Sequence, residues 1–353
     1  VIDRGRQGWP DVAKGVCIIL VVLWHVVTKH AIEVPGAGAV TSVWATLNAQ
    51  LLPLRMPLFF VISGMFATRA LTATDRADWR RRALRLAALY VVWVLIQTFA
   101  LAPTPEFDTA RATDAGELLA QLTFSPTNLW YLLALAVYLA VGRMARSVPT
   151  VVLLPVAFAV SAVGASGVLP DLGNLWQVVQ NVFFFLAGVR LRAFAERLAV
   201  GSGALTVFML GAAYAGLAAV VGVLGLRHWP AVWPLLSLVA VGFGITVCAL
   251  LDRRAEAIAR PLRWLGRRTL PIYVIHMIPL ALLDAALRAS GLRTTPVVEA
   301  VAPVVLTAVV IALCLAAHAA LVRLRLGVLF DPLLAVGWVR ARRSATAGPS
   351  PSR

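Results

Sequence analysis

Asp11-Val-Ala-Lys14-Gly-Val-Cys-Ile-Ile-Leu-Val-Val-Leu-Trp-His25 is an apolar run with two charges at its start and an imidazole deep inside it. On a helix, Lys14 and His25, eleven positions apart, share a face about 16 Å apart along the axis, and Asp11 lies about 40° off that line. In hydrocarbon an ionisable side chain is expensive, so an intramembrane histidine is by default a functional-site candidate. The reading of this run as a membrane span therefore settles both the fold class and where chemistry is sought.

Composition supports that reading. Of 353 residues, 60% are hydrophobic and 14% charged, and the mean hydropathy is +0.85; soluble chains average about 45–50% apolar and about 25% charged. Polar material is too scarce to cover a soluble domain, so an all-α, polytopic helix bundle in a lipid bilayer is expected. Windows of about 17–25 apolar residues mark about ten spans, at 11–28, 43–68, 83–102, 128–142, 149–168, 176–190, 204–225, 231–251, 270–288 and 298–322. The fourth and sixth are short and could be tilted, broken or interfacial.

The loops set the orientation. Arginines gather before the first span (Arg4, Arg6) and after the second (Arg69, Arg76, Arg80, Arg81, Arg82, with Arg85 just inside the third). They recur after the fourth (Arg143, Arg146), sixth (Arg190, Arg192, Arg197), eighth (Arg253 to Arg268) and tenth (Arg323, Arg325, Arg340, Arg342, Arg343). The opposite loops hold only Lys29, Arg111, Arg227, Arg288 and Arg293, and the longest carries Glu106, Asp108, Asp114 and Glu117. Both termini are then cytoplasmic, with Lys14 near that face and His25 in the outer half. The same bias accounts for the net charge of +16, which in a soluble protein would point to nucleic acid; here the bilayer is the expected partner and nucleic acid is not. The basic, apolar start resembles a signal peptide, but no small-residue cleavage site follows promptly, so it reads as a retained span. One transmembrane domain is expected over 1–343, followed by a small, polar, Pro-rich tail at 344–353 that reads as disordered. Cys17, Cys248 and Cys314 lie in apolar runs with no ligand spacing, so packing is expected of them, and neither a disulfide nor a metal site.

Several stretches could carry chemistry. His25 can serve as a general base for a hydroxyl or amine attacking an acyl carbon; the plainer alternative is a packing hydrogen bond to a neighbouring helix. In Leu54-Arg55-Met56-Pro57-Leu58-Phe59-Phe60-Val61-Ile62-Ser63-Gly64-Met65, Pro57 is expected to break or kink the helix and Ser63-Gly64 to admit a close neighbour. Arg55 either faces a water-filled cavity or snorkels to the interface. Arg82 and Arg85, in the cluster Trp79 to Tyr90, either fork onto phosphate or serve as an orientation signal that attracts anionic headgroups. Trp130 and Tyr131, after Asn128, have the character of interfacial anchors. Tyr273 and His276, three apart, share a helical face near the cytoplasmic side. His30 and His228 read as solvated loop residues, and His318 has no assigned role.

Taken in order, these stretches resemble the membrane acyltransferase-3 family. The matching residues are Asp11, Lys14, Gly15 and His25; Met56 to Gly64; Arg82 and Arg85; Leu129 to Leu132; and Leu265 to His276. The likeness runs from about residue 7 to about 325, and the opening is also similar to the fucose 4-O-acetylase-like branch. The resemblance implies an O-acyltransferase of the plasma (inner) membrane. It would transfer an acyl group, usually acetyl from acetyl-CoA, to a hydroxyl of a saccharide, glycolipid or other small acceptor. It further implies His25 as the catalytic base; Lys14, oriented by Asp11, is expected to join the catalytic set from the far end of the same helix face, with Arg82, Arg85, Ser63, Tyr273 and His276 on the donor and without a metal. A covalent acyl-histidine stays open. Two positions depart from the family pattern: Lys14 stands where arginine is common, offering a point charge instead of a fork, and Trp24 stands where glycine is common, narrowing the acceptor site. The hydrolase-like domain fused to some relatives is absent from this sequence, so acceptor recognition is expected from the bundle and its short outer loops. The rival class is a transporter or flippase for a lipid-linked sugar or small anion, with His25 as proton relay, although the paired halves common in transporters are not evident.

Overall fold

The computed structural model describes residues 8–29, 38–72, 77–107, 109, 111–170, 172–226, 229–290 and 295–333. Arg4, Arg6, His30, Arg76, Asp108, Arg227, His228, Arg293, Arg340, Arg342, Arg343 and the tail 344–353 lie outside that set. Among the described residues the regular structure is entirely helical. In chain order the helices are α1 (Trp9–Thr28), α2 (Gly38–Gln50), α3 (Leu52–Thr72), α4 (Ala77–Ala100) and α5 (Ala115–Thr123). They continue with α6 (Trp130–Met144), α7 (Thr150–Ala165), α8 (Leu175–Arg190), α9 (Arg192–Gly201) and α10 (Ala204–Val223). The last are α11 (Val232–Arg254), α12 (Glu256–Gly266), α13 (Thr269–Ile275), α14 (Met277–Ser290) and α15 (Pro296–Arg323).

Local chemistry explains the ends of these elements. Pro10 opens α1, where its missing N–H costs nothing, and Asp11 in the first turn meets the positive end of the helix dipole. The α5 start is a reciprocal cap: Asp114 Oδ1 accepts from the Glu117 amide at 2.9 Å and Glu117 Oε2 accepts from the Thr113 amide at 2.7 Å. Thr295 caps α15 ahead of Pro296. Arg263 on α12 bridges Glu256 and Asp252, and those hydrogen bonds raise its pKa above the ordinary arginine value.

The first helix sits at the centre, packed against α2, α3, α11, α12, α13 and α15. Its approach to α12 is backbone on backbone: a Cβ at Gly15 would overlap the Leu262 carbonyl, and one at Gly266 would overlap the Asp11 carbonyl. The α3–α8 pair is built the same way, with Gly64 against Phe185 and Gly188 against Val61. Without a hydrophobic drive between helices in lipid, such small-residue seams are how helices associate.

Among the described residues, six helices are long and apolar enough to cross a membrane, and up to eight if each of two bent pairs counts as one span. About ten were expected from hydropathy. The fourth and fifth expected spans are present as α6 and α7, of 15 and 16 residues, or about 23–24 Å at 1.5 Å per residue, short of a hydrocarbon core about 30 Å thick. The sixth is α8 joined to α9 through a 78° bend, and the ninth is α13 joined to α14 through a 46° bend. Of the break or kink expected at Pro57, no break occurs: α3 runs through that proline, and an interruption falls at Leu51, between α2 and α3. Trp130 and Tyr131 are not interfacial anchors; each is only 6% exposed, because α6 turns them towards α3 and α13.

Candidate active site

One face of α1 carries Lys14 near its start and His25 near its end, and each borders a cavity. The Lys14 cavity, about 350 Å³, is lined by Lys14, Ser63, Arg82, Arg85, Tyr131 and Tyr273 among others. The His25 cavity, about 540 Å³, is lined by Trp24, His25, Arg55, Asn128, Asn174, Gln177 and Tyr273 among others. Tyr273 belongs to both walls. Among the described residues no aspartate or glutamate lines either cavity.

The waist between them is a hydrogen-bonded aromatic cluster. The Tyr273 hydroxyl donates to the Asn128 carbonyl at 2.8 Å and accepts from the Tyr131 amide at 3.2 Å. Ser63 Oγ donates to the Phe59 carbonyl at 2.8 Å, so the Tyr131 hydroxyl, 2.7 Å away, donates to Ser63. The Tyr131 ring stacks on Phe59 at 4.7 Å and meets Tyr273 edge-on at 5.5 Å.

At the Lys14 end three cations converge. Lys14 Nζ lies 2.7 Å from Asp11 Oδ1 and 4.9 Å from the centroid of Phe66. Arg85 is held by Asp331 at 3.3 Å and by the Phe330 carbonyl at 3.3 Å, from the segment that follows α15. Arg82 lies 3.5 Å from Asp78. A guanidinium has five N–H donors, and these contacts occupy only part of them, so the remaining fork can receive an anion.

The His25 cavity is differently equipped. Arg55 is only 3% exposed, donates to the Leu20 carbonyl at 3.2 Å, and lies 4.6 Å over the Trp24 ring. Of its two sequence readings, the cavity-facing one is the observed one. Trp24 is a partition: it also borders a more apolar cavity of about 500 Å³ walled by Pro53, Trp176 and Leu236. Asn174 is fixed by the Pro126 and Thr127 carbonyls and accepts from Gln177 at 2.6 Å. Both polar atoms of the Asn128 side chain are buried without a hydrogen-bond partner.

His276 departs from its expected place. Spacing puts it on one face with Tyr273, and the family resemblance sets that pair with the arginines on the donor; the structure sets it at the α13–α14 break, fully buried, with its ring 5.0 Å from that of His25. Tyr273 alone of that pair lines the cationic cavity. Asn174 and Gln177 escaped the sequence reading, although two polar residues three apart opening an apolar run were a usable signal. Among the described residues no group of three or more His, Cys, Asp or Glu is arranged for a metal ion, and the three cysteines are separate buried thiols. His318 packs edge-on to Phe330 at 4.6 Å.

The acyltransferase-3 model, described as an acyltransferase domain, matches residues 7–319. The "Inner membrane protein YcfT" of Escherichia coli (strain K12) is 30% identical over 162 residues, a stretch covering 40% of this chain and 44% of YcfT. No solved structure matches.

Proposed function

Because this chain belongs to the acyltransferase-3 family of acyltransferase domains, we propose that it moves an acyl group, acetyl in the simplest case, from acyl-CoA to an acceptor hydroxyl, with His25 as general base. The observation that carries this reading is the pair of cavities, one ringed by cations and one holding His25, that meet at Tyr273. Acyl-CoA enters from the cytoplasmic side, and its phosphates meet Arg82, Arg85 and Lys14, where guanidinium forks match phosphate oxygens. The thioester reaches the Ser63–Tyr131–Tyr273 waist. The acceptor, a saccharide, glycolipid or other small hydroxyl compound, occupies the opposite cavity, whose amides and indoles suit a polar, hydroxyl-bearing group.

His25 then takes the acceptor proton as the oxygen attacks the thioester carbon. The tetrahedral intermediate expels the CoA thiolate, and the proton passes from His25 to that sulfur, giving ester and free thiol. Asp11, 2.7 Å from Lys14, holds the ammonium in position. The multi-pass membrane setting matches the bundle, and the name of the E. coli relative supports the inner membrane as its location.

The test is acetyl-CoA consumption by purified protein in detergent with a hydroxyl acceptor. His25→Ala should lower turnover by roughly 10²–10⁴-fold, the span typical of general acid–base catalysis, while the protein still inserts and purifies as a single species. Full activity in that variant would remove His25 from the mechanism.

A further inference from the structure

We propose that His276 is the positioning residue for His25, a second imidazole that orients the first through a nitrogen–nitrogen hydrogen bond. The proposal rests on His25 being the base, and its test separates the two.

A histidine base usually has its second ring nitrogen held by a carboxylate or carbonyl, which sets the tautomer and aims the reactive nitrogen. Among the described residues no carboxylate lines the His25 cavity, and His25 Nδ1 is buried without a hydrogen-bond partner. A buried, unsatisfied ring nitrogen is costly. The neighbouring ring has the complementary defect: His276 is fully buried, and its Nε2 also lacks a partner. Its other nitrogen, Nδ1, lies 2.7 Å from the Tyr273 carbonyl oxygen. A carbonyl can only accept, so Nδ1 carries the proton and Nε2 of the neutral ring is left as an acceptor. The ring centroids of His25 and His276 are 5.0 Å apart and tilted by 44°, a spacing from which a ring rotation brings one unsatisfied nitrogen onto the other.

The resulting chain has one direction. Tyr273 C=O accepts from His276 Nδ1–H, His276 Nε2 accepts from His25 Nδ1–H, and His25 Nε2 is left with its lone pair for the acceptor hydroxyl. When His25 takes that proton, the imidazolium strengthens its bond to His276; no proton need leave the pair. The α13–α14 break is what makes this possible. It frees the Tyr273 carbonyl to face its own helix partner three residues on, and places His276 where α13 meets α1. A purely structural alternative is that His276 only seals the break.

The experiment uses full-length protein in detergent with His276→Phe and His276→Gln, the second keeping a side-chain acceptor. His276→Phe should lower kcat roughly 10²-fold with KM for acetyl-CoA unchanged, and His276→Gln should recover about tenfold of that loss. Nitrogen-15 spectra of histidine-labelled protein should show His25 protonated on Nδ1 in the wild type and on Nε2 in His276→Phe. Equal losses in both variants, no loss in either, or a wild-type His25 protonated on Nε2 would overturn the proposal; the last reading needs no variant to fold. His25→Ala discriminates further. If it is inactive while His276→Phe is fully active, the base stands and the positioning role falls; if His25→Ala is fully active, the general-base reading itself has failed.

Discussion

A charged side chain inside an apolar helix has to be explained by what it touches, and Arg55 shows how. It is buried against the Leu20 carbonyl and the face of Trp24, so its charge is spread over a hydrogen bond and a cation–π contact. Lysine could not keep both, since it lacks the planar fork. Arg85 is the opposite case. Its side chain is 44% exposed at the mouth of the cationic cavity, with its pairing to Asp331 screened by solvent and worth little to stability. Removing it should therefore cost binding and leave the fold intact. Arg85→Ala should raise KM for acetyl-CoA roughly tenfold with kcat little changed, the pattern of lost uniform binding; steady-state kinetics at varied acetyl-CoA will show it. An unchanged KM would detach the arginine from the donor.

The helices are held by seams that tolerate no side chain. At the α3–α8 crossing, a methyl at Gly64 or Gly188 runs into the carbonyl of the facing helix, and a rigid backbone cannot move aside as a flexible side chain can. Gly64→Ala or Gly188→Ala should each cost about 1–3 kcal/mol, the usual penalty of overpacking, read as a lower Tm in detergent. Because α3 carries Arg55 and Ser63 while α8 begins just after Asn174, loosening this seam should also spread the His25 cavity and lower activity. Gly201, where nothing lies near an added Cβ, is the control: alanine there should leave Tm unchanged. The breaks matter as much as the seams. Where α13 gives way to α14, backbone groups are released in the protein interior, and lipid-spanning chains allow that only where side chains or a cavity can satisfy them.

Across the whole molecule, the separation of a cationic cavity from the His25 cavity acquires meaning only with an orientation, and the loop charges supply one that can be measured. The three native cysteines are buried, so introduced thiols will report cleanly. Glu106→Cys, exposed in the loop after α4, should react with an impermeant maleimide in intact cells. Ser350→Cys, in the C-terminal tail, should react only after permeabilisation. The reverse pattern would place Arg82 and Arg85 outside, away from the cytoplasmic acyl-CoA pool, and the proposed donor path would fail. An arrangement with access from two sides also fits the transport reading, and acetyl-CoA consumption by purified protein separates the two chemistries.

By itself the sequence determined the helical membrane class and the family, because hydropathy and ordered motifs are local properties that bilayer physics constrains strongly. It also determined that Lys14 and His25 share a face of one helix, since helical periodicity alone sets that relation. Tertiary structure decided which helices are long enough to cross, for helix ends and bends depend on what packs beside them. It turned Trp130 and Tyr131 inward, resolved Arg55 towards the cavity, added Asn174 and Gln177, and moved His276 from the arginines to His25. Each of those placements depends on the approach of residues far apart in the chain, and no single-helix pattern encodes that distance.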